Sequence, residues 1–249
     1  MKLSSIALGL TALGLTTLAA APAATATNLV SNGSFEQSSY TVGHQFGAGF
    51  GGQGVTDWTA TAPNGYQAYL FPATATNTDF ISQYSFEPQR LAATFPGASP
   101  DGGNFLGLDG DYQGGVASPI VQTINGLTAG ETYNLTFYWA GTQLTNRTGP
   151  TTERIDVLFG NSAKSTKTVD VASQGFVGWT KENFAFTAGG TSQLLSFAAH
   201  GTPSGLPPFA VLDGVSLTAA VPDAATWVLL IVGFGLVGVT ARRQRTVAA

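Results

Sequence analysis

Residues 132–140 read TYNLTFYWA. Tyr133, Leu135, Phe137 and Trp139 recur at every second position, with Asn134, Thr136 and Tyr138 between them. Successive side chains of a strand point to opposite faces. The alternation therefore predicts a half-buried antiparallel strand. Upstream, NGLTAG at 125–130 has turn chemistry, and short β-prone runs at 104–108 and 120–124 precede it. Downstream, similar runs lie at 154–159, 165–171, 179–187, 192–199 and 210–218. Nearer the start, YQAYLF at 66–71 predicts a strand, NLVSNGSF at 28–35 a short strand entering a turn, and Trp58 opens a weaker strand region. Residues 38–57 are Gly-rich and read as irregular. Residues 73–103 read as a long loop insertion, a kind of segment that is often functional. About ten short strands without helical periodicity predict an all-β jelly-roll sandwich. Trp139 and Trp179 read as buried on their strands.

Composition agrees with one folded domain. Charged residues are 10% of the 249, Gly numbers 32 and Cys is absent. A disordered chain needs low hydrophobicity or high charge, and neither is present. With no Cys there is no disulfide, no thiolate nucleophile and no Cys-based zinc site. The net charge is −4, and acids outnumber bases in the middle of the chain. That surface excludes a nucleic-acid backbone as partner and suits calcium or neutral sugars.

Both ends read as targeting segments. Residues 1–26 carry Lys2, an apolar run from Ile6 to Ala20 and the small residues Ala24-Thr25-Ala26. This is the pattern of a cleavable signal peptide. Cleavage is placed after Ala26, with Ala23 as the second option. The domain then occupies residues 27–220. Residues 221–249 read VPDAATWVLLIVGFGLVGVTARRQRTVAA: a short polar segment, an uncharged apolar run and the cluster Arg242, Arg243 and Arg245. A helix over 227–241, extended back to 224, approaches the ~30 Å hydrocarbon thickness of a bilayer. The arginines predict a cytoplasmic C-terminus and an external domain.

The tail is similar to the PEP-CTERM sorting signal, in its PEPxxWA variant. Pro222, Trp227, the Gly-Phe-Gly at 233–235 and the Arg cluster match. Asp223 stands where that signal has Glu, Ala224 where it has a second Pro, and Val228 where it has Ala. The resemblance implies an exosortase-type membrane protease as partner, transient anchoring by the C-terminal helix, and delivery to the surface or extracellular matrix of a Gram-negative, exopolysaccharide-making bacterium.

NLVSNGSFE at 28–36, PDGGNFLGLDGD at 100–111, IVQTINGLTAGETYNLTFYWAG at 120–141 and LDGVSL at 212–217 resemble galactose-binding-like jelly rolls. These include carbohydrate-binding modules and the DUF642 family. The resemblance implies a structural calcium between the first and last strands, with Glu36 and Asp213 as its carboxylates. Two carboxylates helped by carbonyls and water suit calcium's six to eight oxygens. Turn capping by the same two residues is the alternative. Asp109-Gly110-Asp111 reads as a turn, because Ile120 occupies the position where an EF-hand needs Glu.

A sugar site needs exposed aromatic faces and a few polar groups. Trp58, Tyr66, Tyr69, Tyr84 and Tyr112 lie near loops and are the candidates. Catalysis finds little support. The two His, His44 and His200, lie in no catalytic motif. The carboxylates Glu87, Asp101, Asp109 and Asp111 are the material available to a paired-carboxylate hydrolase. The N-x-S/T triplets at Asn32, Asn134 and Asn146 read as chance in a bacterial protein. The sequence thus reads as an exported, non-enzymatic surface or matrix protein that binds polysaccharide and contributes to a biofilm. A secreted carbohydrate-active hydrolase and a ligand-free structural module are the alternatives.

Overall fold

The computed structural model describes residues 26–39, 44–46, 54–61, 68–73, 90–92, 94–110, 119–145, 147–204, 208–220 and 233–234. The signal-peptide region lies outside them, as does the tail apart from Gly233 and Phe234. Among the described residues no helix is long and apolar enough to cross a membrane.

The described strands are β1 (His44–Phe46), β2 (Thr59–Ala60), β3 (Ala68–Phe71), β4 (Phe105–Asp109), β5 (Ile120–Asn125), β6 (Thr132–Thr142), β7 (Thr151–Phe159), β8 (Ser162–Ser165), β9 (Val169–Val171), β10 (Thr180–Thr187), β11 (Ser192–Thr202) and β12 (Phe209–Ala219). They form two antiparallel sheets. The first runs β1-β3-β4-β12-β6-β10. The second runs β2-β5-β11-β7-β8, with β9 also paired to β7. This is an all-β sandwich of the predicted kind.

β6 behaves as its alternation dictates. Tyr133, Leu135, Phe137 and Trp139 are buried against the opposite sheet. Phe137 packs on Phe197 of β11, with ring centroids 5.2 Å apart. Phe197 in turn meets Trp58, and Trp58 meets Phe35. A buried Phe stabilises by about 1.5–3 kcal/mol relative to an exposed one, so this row helps to hold the two sheets together, as does Phe159 of β7 packed on Phe186 of β10.

A second apolar cluster lies on the outer face of the first sheet. It joins Tyr69, Phe71, Phe105, Phe209 and Val211 to Leu91, Phe95 and Leu144, with Phe176 and Trp179 partly buried against it. The described part of the predicted insertion is therefore no free loop. Residues 90–92 and 94–104 cover this face, held by the backbone bonds Ala92 N to Gln143 O and Thr145 N to Arg90 O.

Three expectations change. Of the short strand and turn predicted at 28–35, the turn forms, with Asn32 and Phe35 at left-handed φ values of 49° and 57° that a strand ladder does not accept, but among the described residues no strand precedes it. The strand predicted at 165–171 is split into β8 and β9. Thr166 turns inward between them, its amide bonding the Ile155 carbonyl and its hydroxyl accepting the Ile155 amide. The irregular stretch 38–57 contains β1, paired to β3.

Candidate functional site

Two regions can hold a ligand. The first lies where the turn at 31–36 meets the last strand. Leu29 donates to the Leu217 carbonyl and Val215 to the Gly33 carbonyl. Asn32 organises the turn: its Nδ2 donates to the carbonyls of Gln37 and Thr56, and its Oδ1 accepts from the Gln37 amide. In β12 the register with β6 shifts between Asp213 and Ser216, a bulge of the kind that re-aims side chains. Gly214 sits in it at φ 59°. Before the bulge Leu212 faces the main core, and after it Val215 and Leu217 do. Asp213 is left on the outer face beneath residues 99–101.

Asp213 has no solvent exposure. Ser99 donates its hydroxyl to Oδ2. Oδ1 is buried and has no hydrogen-bond partner. Burial pushes this carboxyl up to about 7, against the Ser99 hydroxyl and the Gly214 amide, and the negative charges of Asp101 and Glu36 add to the rise. Asp101 is tied in by Ser34, whose hydroxyl donates to its Oδ2 at 2.5 Å, and by its own amide, which donates to Ser99 Oγ. Glu36 Oε1 accepts the Asn104 amide at 2.5 Å. Asp213 thus feels the charge of Glu36, its partner in the sequence reading, and that of Asp101 as well. Among the described residues no three His, Cys, Asp or Glu side chains converge as a finished metal centre. A hard cation would be held by Asp213 and Glu36 or Asp101, with hydroxyls, carbonyls and water completing its shell. The orphaned buried Oδ1 fits that role, since a buried acceptor is costly unless something binds it.

The second region is a groove of about 520 Å³ lined by Leu29, Ser31, Asp57, Thr59, Val121, Gln122, Thr123, Asn125 and Leu194. Gln122 builds it. Its side-chain amide accepts from the Ser31 amide and donates to the carbonyls of Ser31 and Asp57, fastening both segments to β5. On β5 the outward side chains are Val121, Thr123 and Asn125. Thr59 stands beside Val121 and Leu194 beside Thr123 in the ladder. Leu194 is 44% exposed. Further along the same face Arg154 is ion-paired with Asp156, Nε lying 2.8 Å from it, and His200 Nε2 lies 3.1 Å from the same carboxylate. Burial holds His200 below the usual histidine range; Asp156 opposes this and Arg154 adds to it.

The aromatic candidates do not meet at either place. Trp58 is fully buried in the main core, its Nε1 donating to the Asn32 carbonyl. Its indole has no free face for a sugar; the residue looked loop-like, but the turn at 31–36 folds over it. Tyr69 is buried in the outer cluster and accepts a bond from Gln45 Nε2. Burial raises its hydroxyl well above the usual tyrosine value. Tyr66, Tyr84 and Tyr112 lie outside the described residues, as do Pro222, Asp223, Trp227, Arg242, Arg243 and Arg245. So do Glu87, Asp111 and the His44 side chain; Asp109 ends β4. The groove residues were not singled out in the sequence, although the period-two pattern of 120–125 marks Thr123 and Asn125 as outward.

Residues 98–217 match the model of a family described as a protein of unknown function, DUF642. That stretch includes Ser99, Asp101 and Asp213 but not Glu36. No curated protein matches the chain. Among solved structures, TmCBM61 in complex with β-1,4-galactotriose is 12% identical, with 78% of this chain and 99% of that chain covered at a TM-score of 0.41. The CBM22-1 xylan-binding domain from Paenibacillus barcinonensis Xyn10C is 12% identical, covering 81% and 99% at 0.39. An adhesin domain of Lys-gingipain from Porphyromonas gingivalis is 13% identical, covering 67% and 92% at 0.41.

Proposed function

We propose that this chain is an exported, non-catalytic polysaccharide-binding protein of the bacterial surface or matrix. The observation that carries the reading is the chemistry of the groove. Ser31, Thr59, Thr123 and Asn125 offer neutral donors and acceptors, and Leu29, Val121 and Leu194 offer aliphatic patches. Hydroxyl-rich sugars present the matching mixture of polar groups and C–H faces. Among the described lining residues Asp57 is the single carboxylate. A glycosidase of the usual kind needs two, flanking the scissile bond.

Three further parts belong to the same proposal. A calcium ion at Asp213, with Glu36 or Asp101, braces the turn against β12. Residues 1–26 direct export. Residues 221–249 hold the protein in the membrane until an exosortase-type protease releases it to the surface of a Gram-negative cell, where it contributes to an exopolysaccharide matrix. Binding of the full-length protein to an array of neutral polysaccharides, with and without calcium, tests the ligand. Retention on a subset supports the reading; indifference to every polysaccharide removes it.

A further inference from the structure

Glu153 lies on β7 and has 1% solvent exposure. It shares the inward side of that strand with Ile155, Val157 and Phe159. Its Oε1 accepts from the Thr151 hydroxyl, and its Oε2 is buried with no hydrogen-bond partner. Above it pass residues 169–179, which cross from one sheet to the other. They begin as β9, paired to β7 through Val169, Asp170 and Val171. They end against β6 of the first sheet, where Phe176 bridges Thr142, the Val177 amide donates to the Gly141 carbonyl, and the Thr142 hydroxyl donates to the Gly175 carbonyl. The side chains of Val169, Val171 and Glu153 converge on Gly141. A Cβ there would lie 2.8 Å from Val171 Cγ2 and 3.0 Å from both Glu153 Oε2 and Val169 Cγ2.

A hydrogen-bond chain joins the acid to this crossing segment. The Gln174 amide donates to Gln143 Oε1 at 2.6 Å. Gln143 Nε2 donates to Thr151 Oγ1 at 2.9 Å. Thr151 then donates to Glu153. The segment's position is thus linked, bond by bond, to the state of one buried carboxyl.

We propose that residues 169–179 form a strap held closed over a protonated Glu153, so that loss of this proton to solvent loosens the strap and uncovers the end of the sandwich between β6 and β7. A buried carboxylate with only neutral partners and one oxygen left unpaired is costly, whereas a carboxylic acid is tolerated there. The charged group that acts on it is Asp170 of β9, of the same sign; the other surroundings are the Thr151 hydroxyl, Gly141 of β6, Gln143 just beyond that strand, the two valines of β9 and the Phe209 backbone. Burial first, with Asp170 adding, pushes the carboxyl up to about 8, against the bonds from Thr151 and Phe209.

A raised carboxyl in the closed state has a definite sign. The stabilisation is complete below the ordinary value of 4.5, falls as pH rises, and is fully lost at about 8. One proton is released per opening, so the opening equilibrium grows about tenfold per pH unit across that window and is level above it.

Amide hydrogen exchange in the full-length protein, corrected for its intrinsic pH dependence, reads this at residues 174–177. The wild-type protein is expected to lose protection there between pH 5 and pH 8 and then to level off. Glu153→Gln, isosteric with the protonated acid, is expected to give pH-independent protection. Asp170→Asn lies on the exposed side of β9, keeps the buried acid and removes the repulsion, so levelling is expected at lower pH. Flat protection in the wild-type protein, or an unchanged pH dependence in Glu153→Gln, would overturn the proposal.

Discussion

Ser99 donates its hydroxyl to the buried carboxyl of Asp213, and this bond joins the segment covering the first sheet to the strand at that sheet's centre. The two residues are 114 positions apart. Around them Ser34 reaches Asp101, and Glu36 reaches the Asn104 amide. The turn at 31–36, the segment at 98–104 and the β12 bulge are therefore one assembly with three acids in it.

Calcium should stabilise this assembly, and more at high pH than at low. Without metal, the Asp213 contribution is complete below about 3.8, its ordinary value, and is lost as pH rises through about 7. A divalent ion needs the ionised form, so binding releases the proton. Thermal unfolding with calcium and with chelator should give a Tm difference at pH 8 that shrinks by pH 5. Asp213→Asn should abolish the difference while leaving the metal-free protein at least as stable at pH 8. An equal calcium effect in that variant would remove Asp213 from the site.

Gly107→Ala should destabilise the outer cluster. A Cβ at this position would fall 2.4 Å from Phe209 Cε1 and 2.5 Å from Phe71 Cε2. Both rings are fully buried, so neither can swing away. Overpacking of this kind costs about 1–3 kcal/mol. Denaturant unfolding measures it; a midpoint equal to wild type would show that residues 90–92 and 94–104 give way easily.

Asn32→Ala should cost about 2 kcal/mol or more. It removes three hydrogen bonds to the backbone of Gln37 and Thr56, each worth about 0.5–1.5 kcal/mol. It also places Ala at a left-handed φ that Asn tolerates better. Because the turn carries Glu36, calcium binding followed by calorimetry should weaken in the same variant.

Much of this was legible in the sequence, and the omissions have physical causes. The alternation in β6, β7 and β12 is local and survives folding, so those strands were read to within a few residues. Pairing Glu36 with Asp213 rests on the resemblance of both chain ends to a family; the added part, Ser99 and Asp101, comes from a covering segment whose partners Asp213 and Ser34 are 114 and 67 residues away. Trp58 reads as a loop aromatic because nothing local says that Phe35 and Phe197 will enclose it. Glu153 was within reach: it has the same parity as Ile155, Val157 and Phe159. Starting that strand at Arg154 hid an acid on the core side.

The tail carries its own expectation. If residues 221–249 are a sorting signal, surface material should lack Arg242, Arg243 and Arg245, and intact-mass measurement reads this. A mature chain retaining Arg245 would leave a plain membrane anchor.

Binding by the groove is tested by comparing the full-length wild-type protein with Asn125→Ala and Leu194→Asp on a panel of immobilised neutral polysaccharides. Both side chains line the groove, and Leu194 is already exposed, so folding should persist, as an unchanged Tm would verify. Loss of one hydrogen bond weakens binding by about 2–10-fold, and a charge on the aliphatic patch should weaken it further. Retention of the wild-type protein with graded loss in the two variants is the predicted result. Retention unaffected by both substitutions, or no retention on any polysaccharide, would contradict it.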